Sequence, residues 1–155
     1  MGDHTGGKGR RIMSVGAVCT RTVITVAPNE SVRVAAKRMA DNEVGTLVIL
    51  DAAERPIGII TDRDISVRCV ARDLDPDKTP VVAVMTSPVM AVTEATPIED
   101  ALTRMARVKA RRLVVTGRRE KMVGILALDD VLELLVEEVG TIGHILAAAG
   151  TKVPA

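Results

Sequence analysis

At 155 residues and a net charge of +1, the chain fits one compact globule or two half-size units sharing a core, and its charge gives no general attraction to nucleic acid. It contains no Phe, Tyr or Trp, so it lacks the aromatic platforms on which single-strand binders stack bases, and any base it holds must lie between aliphatic side chains. No apolar run approaches the ~18 residues needed to cross a bilayer and the start MGDHTGGKGRR has no apolar signal core, which reads as a soluble, cytoplasmic chain with no membrane partner.

Residues 1–12 are Gly-rich, charged and aperiodic, and are expected to form a flexible arm outside the fold. After them the chain repeats itself: residues 15–65 fall on residues 81–131 without a gap. Val15, Ala17, Val18 and Thr20 meet Val81, Ala83, Val84 and Thr86, while Ala35, Arg38, Met39 and Ala40 meet Ala101, Arg104, Met105 and Ala106. Gly58, Ile59 and Asp64 meet Gly124, Ile125 and Asp130. A unit of this size cannot bury its own apolar face, so the two copies are expected to pack on each other and leave clefts between them.

Each copy begins with a short β-rich run, Val23–Val26 or Val89–Val92. An amphipathic helix follows, with its buried stripe at Val32, Ala35, Ala36 and Met39, or at Ile98, Ala101, Leu102 and Met105. Thr96-Pro97 with Glu99 predicts a capping box for the second of these helices, whereas Asn29-Glu30-Ser31 is a weaker start for the first. Two strands joined by a turn come next, Thr46–Leu50 with Pro56–Ile60, and Arg112–Thr116 with Met122–Leu126. A second helix closes each copy, near Asp62–Arg72 and Asp129–Val139, and after Gly140 the run Thr141–Ala149 predicts a further helix. The expected fold is therefore α/β (α+β), two βαββα units packed as a pseudo-twofold pair. Its divisions are 13–72 for the first repeat, 73–80 for a polar linker, 81–139 for the second repeat and 140–155 for a C-terminal helix or tail.

Cys19 and Cys69 have no disulfide or metal-ligand spacing and read as core fillers. His4 in the arm and His144 near the end stand beside no nucleophile or carboxylate pair, so nothing reads as catalytic. The acidic pairs Asp62/Asp64 and Asp129/Asp130 fit the first turn of a helix and need no metal. Arg104, Arg107, Lys109, Arg111, Arg112, Arg118, Arg119 and Lys121 face a single acid, Glu120, across one segment, which is either a solvated face or a phosphate-attracting rim.

The strongest chemical signal is Gly58-Ile-Ile-Thr61-Asp62-Arg63-Asp64. Gly58 permits close backbone approach. Thr61 stands at a helix start, where free N–H groups favour phosphate oxygens, and Asp64 can accept two hydrogen bonds from a vicinal diol such as a ribose. The same Thr-x-x-Asp is also an ordinary capping box, and the heptapeptide alone leaves both readings open.

With its two copies, the leads Ala-Val-Cys19-Thr20 and Ala-Val-Met85-Thr86, and the Gly-h-h-Thr-x-x-Asp signature (h, hydrophobic), the chain resembles the tandem cystathionine-β-synthase (CBS) domain family over residues 13–136. Thr61–Ile65 with Leu74-Asp75-Pro76 looks like small stand-alone bacterial members made only of two such domains. The resemblance implies a regulatory sensor that binds an adenine nucleotide (AMP, ADP or ATP) in a cleft between repeats, with no obligatory cofactor, and signals occupancy to an effector protein. The other reading is a dimerisation or interaction module without a working ligand site. Carried over residue by residue, the resemblance makes Thr61 and Asp64 the ribose and phosphate partners, Val23, Ile24, Val44 and Leu47 the adenine walls, and Arg63 a phosphate contact. In copy two Ala127 replaces the hydroxyl residue although Asp130 is kept, and Arg111 and Arg112 are the basic pair that meets phosphate in some relatives or serves the neighbouring cleft. The apolar stripes Ile65/Cys69 and Val131/Leu135 lead to the expectation of a homodimer through helices of both copies.

Overall fold

The computed structural model describes residues 13–150, so the expectations for the arm 1–12, for His4 and for 151–155 lie outside it. The first copy comprises α1 (Val15–Val18), β1 (Thr25–Val26), α2 (Val32–Asp41), β2 (Thr46–Leu50), β3 (Pro56–Thr61) and α3 (Asp62–Arg68). After 3-10 turns at Val70–Arg72 and Val81–Ala83 the second copy follows with β4 (Ala91–Thr93), α4 (Ile98–Val108), β5 (Arg112–Thr116), β6 (Met122–Ala127) and α5 (Leu128–Ala148). Each copy is thus βαββα. The helical crossover makes β1 parallel to β2 and β4 parallel to β5, whereas the short turns make β3 and β6 antiparallel partners. The ladder of β1 is shorter than the Val23–Val26 run, because Val23 and Ile24 precede it, and β4 likewise starts only at Ala91.

Alternation along β2 and β5 points Leu47 and Ile49, and Leu113 and Val115, at two separate cores. Val48 and Val114 face the other way and are also fully buried. Both faces of the central strands are therefore covered, which is why these strands read as unbroken apolar runs.

The two cores are built by exchange. Val15 is buried in the core of the second copy, while Val81 and Val84 are buried in the core of the first. Backbone bonds fix the crossing: Val15 N–H donates to the Thr96 carbonyl (2.8 Å), and Thr20 and Ile125 exchange N–H···O bonds of 2.9 Å each way. Thr86 and Ile59 repeat the exchange on the other side, at 2.8 and 3.1 Å. This explains the glycines of the repeat. A Cβ on Gly124 would stand 2.8 Å from the Thr20 carbonyl oxygen, and one on Gly58 3.1 Å from that of Thr86. Gly58 was expected to let a ligand approach the backbone; the space it leaves is taken by Met85 and Thr86 instead.

Helix ends bring further corrections. At α2 the supposedly weaker start is well built: Ser31 Oγ accepts from Val34 N–H (3.3 Å), and the Glu30 carboxylate accepts from Ala27 N–H and from the Arg38 guanidinium. At α4 the predicted box is absent, since Pro97 holds the cap position and the Thr96 hydroxyl turns back to accept from Thr93 N–H at 3.1 Å. Gly140 does not interrupt α5, which runs on through Gly143 to Ala148. A helical glycine costs only about 1 kcal/mol, and the left-handed residue that ends the helix is Gly150, at φ 71. Cys69 and Val131 are buried in the chain's own cores and Ile65 is partly buried against one of them, so two of the four residues expected at a dimer face are not available to it. The 73–80 segment is tied down through Val32 N–H to the Thr79 carbonyl, Arg33 N–H to the Pro76 carbonyl and an Arg33–Asp77 ion pair.

Candidate functional site

One cleft joins the two copies beside β1 and β2. It encloses about 310 Å³ and is lined by Thr20, Thr22, Val23, Ile24, Glu43, Val44, Gly45 and Thr46 of the first copy and by Arg112 and Ile125 of the second. Local geometry explains the lining. The chain leaves α2 through Glu43 at φ 53, Val44 N–H then ties back to the Met39 carbonyl (3.0 Å), and Gly45 follows with its carbonyl held by Asp62 N–H (3.1 Å). The Asp62 carboxylate lies over Gly45, 3.0 Å from where a Cβ would stand, so no larger residue fits without moving it. Thr46 opens β2, and its Oγ1 is buried without a hydrogen-bond partner. A hydroxyl left in this state costs ~1–3 kcal/mol.

Of the residues read from sequence, Val23, Ile24 and Val44 line this cleft with Arg112 opposite them. Leu47, Thr61, Arg63, Asp64, Arg111 and Asp130 are not among its lining residues; Leu47 is fully buried in the first core, because alternation along β2 turns it toward α2. Thr61 is the register partner of Thr46 across the hairpin, so the two side chains share a sheet face. Its hydroxyl and the Asp64 carboxylate form a full capping box. Asp64 N–H donates to Thr61 Oγ1 (3.1 Å), while Thr61 N–H and Oγ1 both donate to Asp64 Oδ2 (2.9 and 3.0 Å). Oδ1 of Asp64 faces Arg68 Nη2 at 3.6 Å, and that arginine also donates to the Val84 and Met85 carbonyls. Arg63 is exposed on the first turn of α3.

The second copy departs from the first by more than its lost hydroxyl. Ala127 gives α5 no side-chain cap, Arg111 is bound to Asp129 at 2.8 Å, and Asp130 accepts a long bond (3.4 Å) from Thr20 Oγ1, a residue of the first cleft. Where copy one carries Glu43, Gly45 and Thr46, copy two carries Lys109, Arg111 and Arg112. A second inter-copy cleft of about 380 Å³ lies near the turns, lined by Asp51, Arg55, Pro56, Ile57, Val89, Ala91, Thr116 and Glu120. Sequence reasoning passed over Thr46, Gly45 and Glu43. The available signal was the Gly-Thr pair heading β2 directly opposite Thr61.

Burial raises the Cys19 thiol above its usual range despite nearby Arg21. Cys69 is fully buried. Among the described residues, no group of three or more His, Cys, Asp and Glu side chains could hold a metal ion, and no helix is long and apolar enough to cross a membrane. His144 is exposed on α5.

Comparison with known proteins agrees with this arrangement. An uncharacterized protein of Methanopyrus kandleri is 34% identical over 132 residues, covering 85% of this chain and 67% of its own length. The CBS domain-containing protein YhcV of Bacillus subtilis is 35% identical over 117 residues, covering 76% of this chain and 81% of its own. The relatives thus include archaeal as well as bacterial proteins. Among solved structures, an uncharacterized conserved protein from Pyrococcus horikoshii superposes with a TM-score of 0.71 at 28% identity, over 79% of this chain and 92% of that one. The CBS domain pair of protein MJ0100, in complex with 5'-methylthioadenosine and S-adenosyl-L-methionine, does so with 0.73 at 25% identity, over 82% and 98%. The CBS domain profile matches twice, over residues 15–69 and 81–137, and the chain belongs to the CBS domain family as a tandem pair.

Proposed function

We propose that the chain is a regulatory module, not an enzyme, that holds an adenine nucleotide of the AMP, ADP or ATP class in the cleft beside β2 and passes occupancy to an effector protein. The observation that carries this reading is the make-up of that cleft. Aliphatic Val23, Ile24 and Val44 suit a purine in a chain without aromatic rings, the unpartnered Thr46 hydroxyl awaits a hydrogen bond, and Arg112 supplies a cation from the other copy. Asp64 lies outside the cleft's lining, and its Oδ1, faced by Arg68 Nη2 at 3.6 Å, is the oxygen that this reading assigns to a ribose. Thr61 and Asp64 then serve both helix and ligand, so the capping and binding readings coexist. The complex of the MJ0100 domain pair with two adenosine compounds supports an adenosine-containing ligand. Because the walls come from both copies, a ligand that binds one relative arrangement better shifts the population toward it.

Absorbance offers a direct test. Without Trp or Tyr, the protein is nearly transparent where most proteins absorb, so a purine band retained after incubation with AMP and desalting, and released as a small molecule on denaturation, supports the reading. A protein that carries no purine and shows no saturable binding of AMP, ADP or ATP refutes it. The second reading, an interaction module, is favoured by the exposed apolar residues on α3 and α5. A homodimer formed through these helices belongs to either reading.

A further inference from the structure

Arg68 ties the signature carboxylate of the first copy to the leading segment of the second. It stands one turn after Asp64 on α3, and its Nη2 faces Asp64 Oδ1 at 3.6 Å. Its Nη1 donates to the Val84 and Met85 carbonyls, at 3.0 Å each, and to the Thr86 hydroxyl at 3.1 Å. These three residues belong to the segment that crosses from the second copy onto the first core, where Val84 is buried and Thr86 exchanges backbone bonds with Ile59. An ordinary ion pair at this helical spacing leaves the rest of its guanidinium in solvent. Here one nitrogen is committed to the other copy, and the second is held only loosely by the carboxylate. The internal repeat sharpens the contrast, since Arg68 corresponds to Leu134. In the second copy Asp130 instead accepts directly, at 3.4 Å, from the hydroxyl of Thr20, the counterpart of Thr86. The charged bridge stands in the copy that keeps the threonine of the signature and is missing from the copy that has lost it.

We propose that Arg68 is a relay that reports occupancy of the cleft to the second copy. This deepens the reading above and rests on its assignment of Asp64 Oδ1 to a ribose. Asp64 Oδ2 is already engaged by Thr61 N–H and Oγ1, so the hydroxyls of a diol would donate to Oδ1. Donation there satisfies the carboxylate and weakens its pull on Arg68 Nη2. The guanidinium then gives its donors more fully to the Val84 and Met85 carbonyls, and the crossing segment is held more firmly. A planar guanidinium can serve the carboxylate and the carbonyls at once, which the single ammonium of a lysine cannot. The segment runs on into β4 at Ala91, so a change in its hold reaches the sheet of the second copy. A ligand bound by Asp64 thereby favours one arrangement of the two copies over the other.

Hydrogen exchange tests the relay at the amides of Val84 and Met85, which donate to the Val81 carbonyl, and of Thr86, which donates to that of Ile59. In wild type, saturating AMP is expected to slow their exchange roughly threefold or more, the effect of strengthening about one neutral hydrogen bond. Arg68→Leu installs the residue type that the second copy carries at this position. It should still bind AMP, because the capping box orients Asp64 without Arg68, and should show no slowing at these amides. Arg68→Lys keeps the charge, covers the case of a leucine variant that fails to fold, and should likewise bind AMP without the slowing. Far-ultraviolet dichroism checks the fold of each variant. Slowing that persists in either folded variant, or a wild type that binds AMP without it, refutes the relay and leaves the nucleotide reading standing. Loss of AMP binding in a folded variant would make Arg68 a ligand contact, which also refutes the relay. A wild type that binds no AMP overturns both.

Discussion

Replacing Gly124 with alanine tests the exchange of leading segments on which both cores and the cleft depend. The new methyl would stand 2.8 Å from the Thr20 carbonyl oxygen and 3.0 Å from Cys19 Sγ. Neither can retreat cheaply, since Thr20 is clamped to Ile125 by two 2.9 Å backbone bonds and Cys19 packs on the second core. Losing both bonds costs about 1–3 kcal/mol at 0.5–1.5 each, and overpacking adds ~1–3. The expected loss is about 2–6 kcal/mol, a large part of the stability of a domain this size. Urea unfolding followed by far-ultraviolet dichroism measures it, as there is no tryptophan to report by fluorescence. Gly143→Ala is the control. A Cβ there meets nothing within 4 Å, so that variant should gain about 0.5–1 kcal/mol from helix propensity. A Gly124→Ala protein as stable as wild type would refute the argument that the glycine exists to admit the crossing strand.

Thr46→Val removes a buried hydroxyl that has no partner, so stability should hold or rise by about 1 kcal/mol while AMP affinity falls roughly fivefold; reduced stability with unchanged affinity would show that the hydroxyl serves the fold. Glu30 supplies a pH test. Hydrogen bonds from Arg38, and then from Ala27 N–H, hold its carboxyl below the ordinary glutamate value of 4.5. A depressed carboxylate stabilises the fold above its unfolded pKa, and that contribution is lost as pH falls from 4.5 through the lower folded value. Urea midpoints should therefore drop along this acid limb in wild type and drop less in Glu30→Gln. Equal slopes would remove Glu30 from the account.

Periodicity made most of the fold legible. The i, i+3, i+7 stripe of Val32, Ala35 and Met39 and the apolar runs of β2 and β5 depend on local patterning, and the structure keeps them. The exchange of Val15 and Val81 between copies was not legible, because the two leading segments are equivalent in the repeat and no local pattern distinguishes docking at home from docking across. The cap at α4 was misread since Thr96 has two nearby donors to choose from, and the bond to Thr93 closes the preceding turn. For the site, Val23, Ile24 and Val44 followed from the family resemblance, whereas Leu47 was misplaced by a register step: on a strand the next residue faces the opposite side. Thr46 was missed because its significance depends on the hairpin pairing with Thr61 and on its unmet hydrogen bond, which are facts of three dimensions.

The central claim is that the cleft beside β2 holds an adenine nucleotide through Asp64. Calorimetric titration of AMP into wild type and Asp64→Ala tests it most directly. The account predicts one saturable site per chain in wild type. It also predicts that Asp64→Ala binds at least tenfold more weakly, since a hydrogen bond to a charged group is worth roughly 1.5–3 kcal/mol. The capped helix should lose only about 1 kcal/mol of stability in that variant. Equal AMP affinity in the two proteins, or none in wild type, would contradict it.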